Sequence, residues 1–148
     1  MTKFSNTKNV VLYADDDPDD LRLLQDAFAQ YSDRVELVTV KDGMEAISYL
    51  NSLSEYDLTP CLIILDVNMP RMNGKETLYT IRKTEGFEQV PVVLFTTSSQ
   101  PLDSKFAAKH KAGFITKPID YKQMDIIANE FLKHCTEQSK KNISKQAN

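Results

Sequence analysis

Apolar runs and amphipathic stripes alternate five times along this chain. Val10 to Ala14 is an apolar run of strand length, and Leu21, Leu24, Phe28 and Tyr31 then recur at steps of three and four, one stripe of a helix. Val35 to Val40 is rich in β-branched residues and reads as a strand; Ala46, Ile47 and Leu50 mark a helix that begins near Asp42. After a polar loop, Asn51 to Pro60, Leu62 to Leu65 reads as a strand, and Leu78 and Ile81 mark a third helix opening near Gly74. Val90 to Phe95 reads as a strand with Pro91 at its start, where proline is tolerated. Pro101 suits the first position of a fourth helix running through Lys111. Phe114 to Thr116 is a short strand, and Met124, Ile127, Ala128 and Phe131 line a last helix from about Asp120 to Cys135. Strand and helix in regular alternation predict an α/β fold, a parallel sheet covered by helices on both faces with right-handed crossovers.

The boundaries that follow are an N-terminal extension at 1–8, one domain at 9–135 and a tail at 136–148. The tail has Ile143 as its one strong apolar residue, so no packed structure is expected there. Thirteen residues beyond Cys135 are too few to bury the core of an output domain.

Composition narrows the function. A chain of 148 residues with 41% hydrophobic and 26% charged positions has the balance of a soluble globular protein. Its longest clean apolar stretch, Cys61 to Leu65, is too short to cross a bilayer, and Met1 to Asn9 lacks the apolar core of a secretory signal. A cytoplasmic location is expected. The net charge of −3 gives no general attraction to nucleic acid or to acidic membranes. Cys61 and Cys135 are widely separated and not at metal-ligand spacing, which reads as buried or idle thiols in a reducing compartment.

Ligands of open α/β sheets bind beyond the carboxyl ends of the strands, near the point where strand order reverses. The residues just past the predicted strands are therefore the candidates for chemistry. Asp15 and Asp16 follow the first strand, Asp66 the third, Thr96 ends the fourth and Lys117 the fifth. Part of the acidic run has a simpler role: Asp17 suits an N-cap, Pro18 the first helical residue, and Asp19 and Asp20 a first turn whose dipole favours acids. That reading leaves Asp15 and Asp16 unexplained. Taken singly, Asp66 could be a turn residue, and Thr96 and Lys117 ordinary strand ends. Together they bring carboxylates, a hydroxyl and an ammonium to one rim. Two like charges 4 Å apart cost about 1 kcal/mol in water and about 4 at an effective dielectric of 20. A hard divalent cation relieves that cost, and Mg²⁺ binds through one or two carboxylates while keeping waters and open positions. Lys117, expected at an exposed rim, supplies a point charge for phosphate oxygens and Thr96 a neutral donor. The set fits phosphoryl transfer with an aspartate as nucleophile.

Four segments carry a family resemblance, which spans about residues 9–135. They are Val10-Val11-Leu12-Tyr13-Ala14-Asp15-Asp16-Asp17-Pro18; Leu65-Asp66-Val67-Asn68-Met69-Pro70 followed by Gly74; Val92-Val93-Leu94-Phe95-Thr96-Thr97; and Ile115-Thr116-Lys117-Pro118. In this order the chain resembles response-regulator receiver domains of two-component systems. The Thr96-Thr97-Ser98-Ser99 run makes it most similar to stand-alone, chemotaxis-regulator-like members. The resemblance implies a flavodoxin-like receiver fold, five parallel strands in the order 2-1-3-4-5 with five helices. It implies Asp66 as phosphoacceptor, Mg²⁺ held by Asp16 and Asp66, by Asp15 through water and by the Asn68 backbone carbonyl, and phosphoryl oxygens held by Thr96 and Lys117. It also implies a cis bond at Lys117-Pro118. Phe114 falls at the family's switching aromatic and, unlike tyrosine, offers partners no hydroxyl; its other reading is plain core. The implied partners are a sensor histidine kinase or phosphotransfer protein and a protein output target, with a monomer or a phosphorylation-dependent dimer as assembly. The implied role is signalling, not catalysis on another substrate, although such a protein assists its own phosphorylation and dephosphorylation. Three rivals share parts of this pattern. An aspartyl-phosphate phosphatase needs an acid two residues after its nucleophile, where this chain has Asn68. A flavodoxin needs a hydroxyl- and glycine-rich loop after the first strand, where Asp15 to Asp17 would repel phosphate. A degenerate receiver would serve as a phosphorylation-independent interaction module.

Overall fold

The computed structural model describes residues 8–97, 100–120, 122–133 and 135. Its elements are β1 (Asn9–Ala14), α1 (Pro18–Ala29), β2 (Val35–Val40), α2 (Gly43–Ser52), β3 (Leu62–Leu65), α3 (Gly74–Lys83), β4 (Val92–Thr96), α4 (Pro101–Lys109) and β5 (Gly113–Thr116). A fifth helix, α5, covers residues 122–133. The strands form one parallel sheet in the order β2-β1-β3-β4-β5, with every pairing parallel.

Period-two alternation within the strands builds two core layers. Val11 and Tyr13 of β1, Leu62 and Ile64 of β3, and Val93 and Phe95 of β4 face α1 and α5, meeting Leu24, Phe28, Met124, Ala128 and Phe131. Leu12 and Ala14, Ile63 and Leu65, and Val92 and Leu94 face the other way, against Ala46 and Leu50 of α2, Leu78 and Ile81 of α3, and Ala107 of α4. The central strands are buried on both faces, which is why they read as continuous apolar runs.

Helix starts follow the local chemistry. Asp17 caps α1 by accepting from Asp19 N, with Pro18 next, while Asp42 caps α2 and Asn73 caps α3 through a reciprocal box with Glu76. Pro101 opens α4. Boundaries shift modestly from expectation: β4 begins after Pro91, which has no N–H to donate although its carbonyl accepts from Ile63 N at 2.9 Å, and α4 ends at Lys109, before Lys111 turns left-handed at φ 59°.

Two expectations are overturned. Cys61 and Cys135 are joined in a disulfide, their Cα atoms 5.0 Å apart. A separation of 74 residues conceals this contact, but packing of α5 beside β1 and β3 brings its end to the entrance of β3. The Lys117-Pro118 peptide is trans, as are the other peptides of the described residues. Trans is the lower-energy isomer even before proline, and the turn after β5 closes without the alternative. The N-terminal extension as far as Thr7, Ser98, Ser99, Tyr121 and the 136–148 tail lie outside the described residues.

Candidate functional site

Neighbouring strand ends carry the sheet's ladder one residue further. Asp15 N donates to Val40 O at 3.1 Å, Asp66 N to Ala14 O at 3.0 Å and Lys117 N to Thr96 O at 2.7 Å. These bonds place Asp15, Asp66 and Lys117 in a row at the carboxyl edge, across the β1–β3 point where strand order reverses.

Lys117 ties the row together. Its Nζ donates to Asp15 Oδ2 at 2.6 Å and Asp20 Oδ2 at 2.8 Å, and lies 3.6 Å from Asp66 Oδ1. Asp15 is fully buried and also accepts from the Tyr13 hydroxyl at 2.6 Å and, through Oδ1, from Asp17 N at 3.0 Å. Asp16 is exposed, and one oxygen each from Asp15, Asp16 and Asp66 come within 4.8 Å of one another. Thr96 is buried at the end of β4. Asn68 is exposed, and its backbone N–H lowers the pKa of the Asp66 carboxyl. Phe114 is half-buried in the α2–α3–α4 layer, paired with Leu94 across β4–β5, and is not part of the acid row.

Lys117 corrects the sequence reading: its side chain is only 6% exposed, with its ammonium 5.8 Å from the centre of the Phe95 ring. The strand-end position suggested a rim residue, but α1 brings Asp20 over it. Sequence reasoning also gave no functional role to Tyr13 or Asp20. For Tyr13 the available signal was parity, since a polar hydroxyl two residues before Asp15 on a strand shares its face.

Charge is balanced unevenly. Burial alone would discharge Lys117, yet its hydrogen bonds to Asp15 and Asp20 raise its pKa and keep it an ammonium. Burial, then the charge and hydrogen bond of Asp15, push the Tyr13 phenol far up, so it remains a donor. The Asp66 carboxyl is pushed up to about 7, first by burial and next by the charge of Asp15, with Asp16 adding to the rise; Lys117 and the Asn68 N–H pull the other way. The folded chain therefore holds this proton more tightly than the unfolded chain, whose carboxyl titrates near the ordinary 3.8. The associated stability is complete below that value and is lost as pH rises through about 7. Chelator-treated protein should thus show a urea midpoint that falls between pH 5 and 8 relative to Asp66→Asn. A flat or rising difference would contradict the burial assigned to Asp66.

The loop that follows Asp66 is held from two sides. Arg71, left-handed at φ 63°, bonds the buried Asp42 through Nε at 2.9 Å and through Nη2. Burial would raise the Asp42 pKa, but the Glu45 N–H and the Arg71 guanidinium hold it below the usual carboxylate range. Gly74 N donates to Val67 O at 2.9 Å, and a Cβ on Gly74 would lie 2.2 Å from Asp66 O. Gly74→Ala should cost about 3 kcal/mol by displacing the Asp66 backbone. Chemical denaturation checks it, and an unchanged midpoint would show the approach to be looser than described.

A doubly wound parallel sheet with an acid trio and a buried lysine at its switch point offers oxygen ligands for a cation beside a buried ammonium. Residues 11–129 match the family model of the response regulator receiver domain, and the chain belongs to that family. Response regulator Rcp1 of Synechocystis sp. is 35% identical over 100 residues, 66% of this chain and 68% of the relative. Among solved structures, the phosphorylated cyanobacterial phytochrome response regulator RcpA is 33% identical, covering 84% of this chain and 91% of that one at a TM-score of 0.76. The Mn²⁺-bound form of response regulator Rcp1 is 28% identical, covering 81% and 88% at a TM-score of 0.71. Among the described residues no helix is long and apolar enough to cross a membrane.

Proposed function

We propose that Asp66 accepts a phosphoryl group from a histidine kinase or phosphotransfer protein and that the modified domain signals by binding another protein. The observation that carries this reading is the meeting of Lys117 with Asp15 and Asp66 at one strand edge, 2.6 and 3.6 Å away. An Asp66 carboxylate oxygen would attack phosphorus, forming an O–P bond as the donor's N–P bond breaks and its nitrogen leaves with the electron pair. Lys117 and Thr96 would hold the phosphoryl oxygens, offering an ammonium and a hydroxyl as donors where charge develops. Asp15, Asp16, Asp66 and the Asn68 carbonyl would hold Mg²⁺. That cation supplies the positive charge that three crowded carboxylates and an incoming phosphoryl group lack.

Output would pass to the face of α4, β5 and α5. Leu102, Ile119 and Ile126 are exposed apolar residues on α4, the β5–α5 connection and α5, as a protein-docking surface needs. His110, its ring tilted against Phe106 with centroids 4.4 Å apart, borders that face, whereas Ala107 is buried beneath it. Phosphate would favour a conformer that a partner binds better, and coupling of about 1–3 kcal/mol would change that affinity about 5–150-fold. Phe114 would turn inward as Thr96 moves toward the phosphoryl group. No nucleic-acid partner is proposed for this acidic domain.

Melting with and without Mg²⁺ tests the site. Mg²⁺ at a hundredfold excess over Kd should stabilise the native protein by about 2.7 kcal/mol. Asp16→Ala, which removes an exposed ligand, should lose most of that gain. Equal responses in the two proteins would place the cation elsewhere.

A further inference from the structure

Asp20 behaves unlike the acids at the third position of α2 and α3; like Asp103 of α4, which pairs with Lys75 at 2.7 Å, it holds a lysine distant in sequence. Glu76 in α3 reaches back to its N-cap and accepts from Asn73 N at 3.1 Å; Glu45 in α2 accepts from Lys41 N at 2.8 Å. Both satisfy local backbone donors, the ordinary use of an acid there. In α1 that donor is already taken, because Asp17 N bonds Asp15 Oδ1. Asp20 turns instead to a residue 97 positions away and accepts from Lys117 Nζ at 2.8 Å.

The ammonium of Lys117 faces three carboxylates at graded distances, 2.6 Å to Asp15, 2.8 Å to Asp20 and 3.6 Å to Asp66. The first two are hydrogen bonds and the third is not. Lys117 thus rests on the α1 side of the site, with one of its two strong bonds made to a residue outside the metal-binding trio.

We propose that Asp20 is a positioning residue that holds Lys117 away from Asp66 in the resting protein, so that a phosphoryl group must win the ammonium from it. The proposal rests on Asp66 as phosphoacceptor and adds a competitor that sets how readily the phosphorylated arrangement forms. In the resting state Asp20 satisfies the lysine. Once phosphoryl oxygens stand on Asp66 they compete for the same three N–H donors.

The experiment measures beryllofluoride affinity at saturating Mg²⁺, so that a change in metal binding does not enter. Asp20→Asn, which keeps the shape of the side chain but removes its charge, should bind beryllofluoride about threefold to tenfold more tightly than native protein. Asp19→Asn is the control: Asp19 is an exposed acid of the same turn with no bond to Lys117, so it carries the general loss of negative charge and should leave the affinity nearly unchanged. The side-chain ammonium resonance of Lys117 should shift in Asp20→Asn and not in Asp19→Asn. A helix-capping role alone would lower the melting temperature of Asp20→Asn without tightening beryllofluoride. Equal or weaker binding in Asp20→Asn overturns the proposal, as does an equal gain in Asp19→Asn. Absence of binding in native protein, or its persistence in Asp66→Asn, would instead show that Asp66 is not the acceptor, and this inference would fall with that reading.

Discussion

Reducing the Cys61–Cys135 disulfide lowers the free energy of unfolding by about 4 kcal/mol, the chain-entropy value for a loop of this length. The bond joins residues 74 apart, enclosing β3 to α5, so opening it releases half of the chain in the unfolded state. Little changes in the native state, because both cysteines are buried in the α1–α5 layer and as thiols they still fill it. Typical domains have only about 5–15 kcal/mol of stability, so the bond is a large share of the total. Its place also matters. Cys61 precedes β3 and Asp66 follows it, which puts the bond at the opposite end of the strand from the acid trio. Reduction should therefore shift the urea midpoint strongly while leaving Mg²⁺ affinity unchanged, and Cys61→Ser should match the reduced native protein. Coincident midpoints with and without reductant would refute the bond. In a compartment that keeps thiols reduced the protein would work at the lower stability.

The fold was legible because nearly all of its core obeys simple periods. β1, β3 and β4 read as apolar runs since they are buried on both faces, and Asp17, Pro18, Asp42 and Pro101 mark helix starts where a cap or a fixed φ is needed. The acid row was legible for a topological reason: in a parallel sheet every strand ends on the same edge, so Asp15, Asp66, Thr96 and Lys117 converge whatever lies between them. What was not legible depends on how helices lie across that edge. Lys117 looked like a rim residue because nothing in its neighbourhood announces that Asp20 will cover it. Asp20 looked like a helix-dipole acid because its alternative partner is 97 residues away. The cysteine pairing depends on where α5 ends, which local pattern cannot fix. Tyr13 reads only as part of an apolar strand, although its hydroxyl shares a face with Asp15 and bonds it at 2.6 Å.

Phosphorylation of Asp66 is the other large expected effect, because it is all or none. Attack requires an ionised carboxylate, and the metal-free pKa of about 7 shows how much burial and Asp15 oppose that form. A cation at the acid trio would favour it, and Lys117, already charged and 3.6 Å from Asp66, offers the incoming oxygens a donor. Without the Asp66 carboxylate the site retains Asp15 and Asp16, but Asp15 has both oxygens bonded and Asp16 has no lysine against it. The decisive measurement is intact mass after incubation with acetyl phosphate and Mg²⁺. Native protein should gain a single phosphoryl group that hydroxylamine removes, as it does any acyl phosphate, and Asp66→Asn should gain none. An Asp66→Asn protein that still takes up the group, or a native protein that never does, would contradict the assignment.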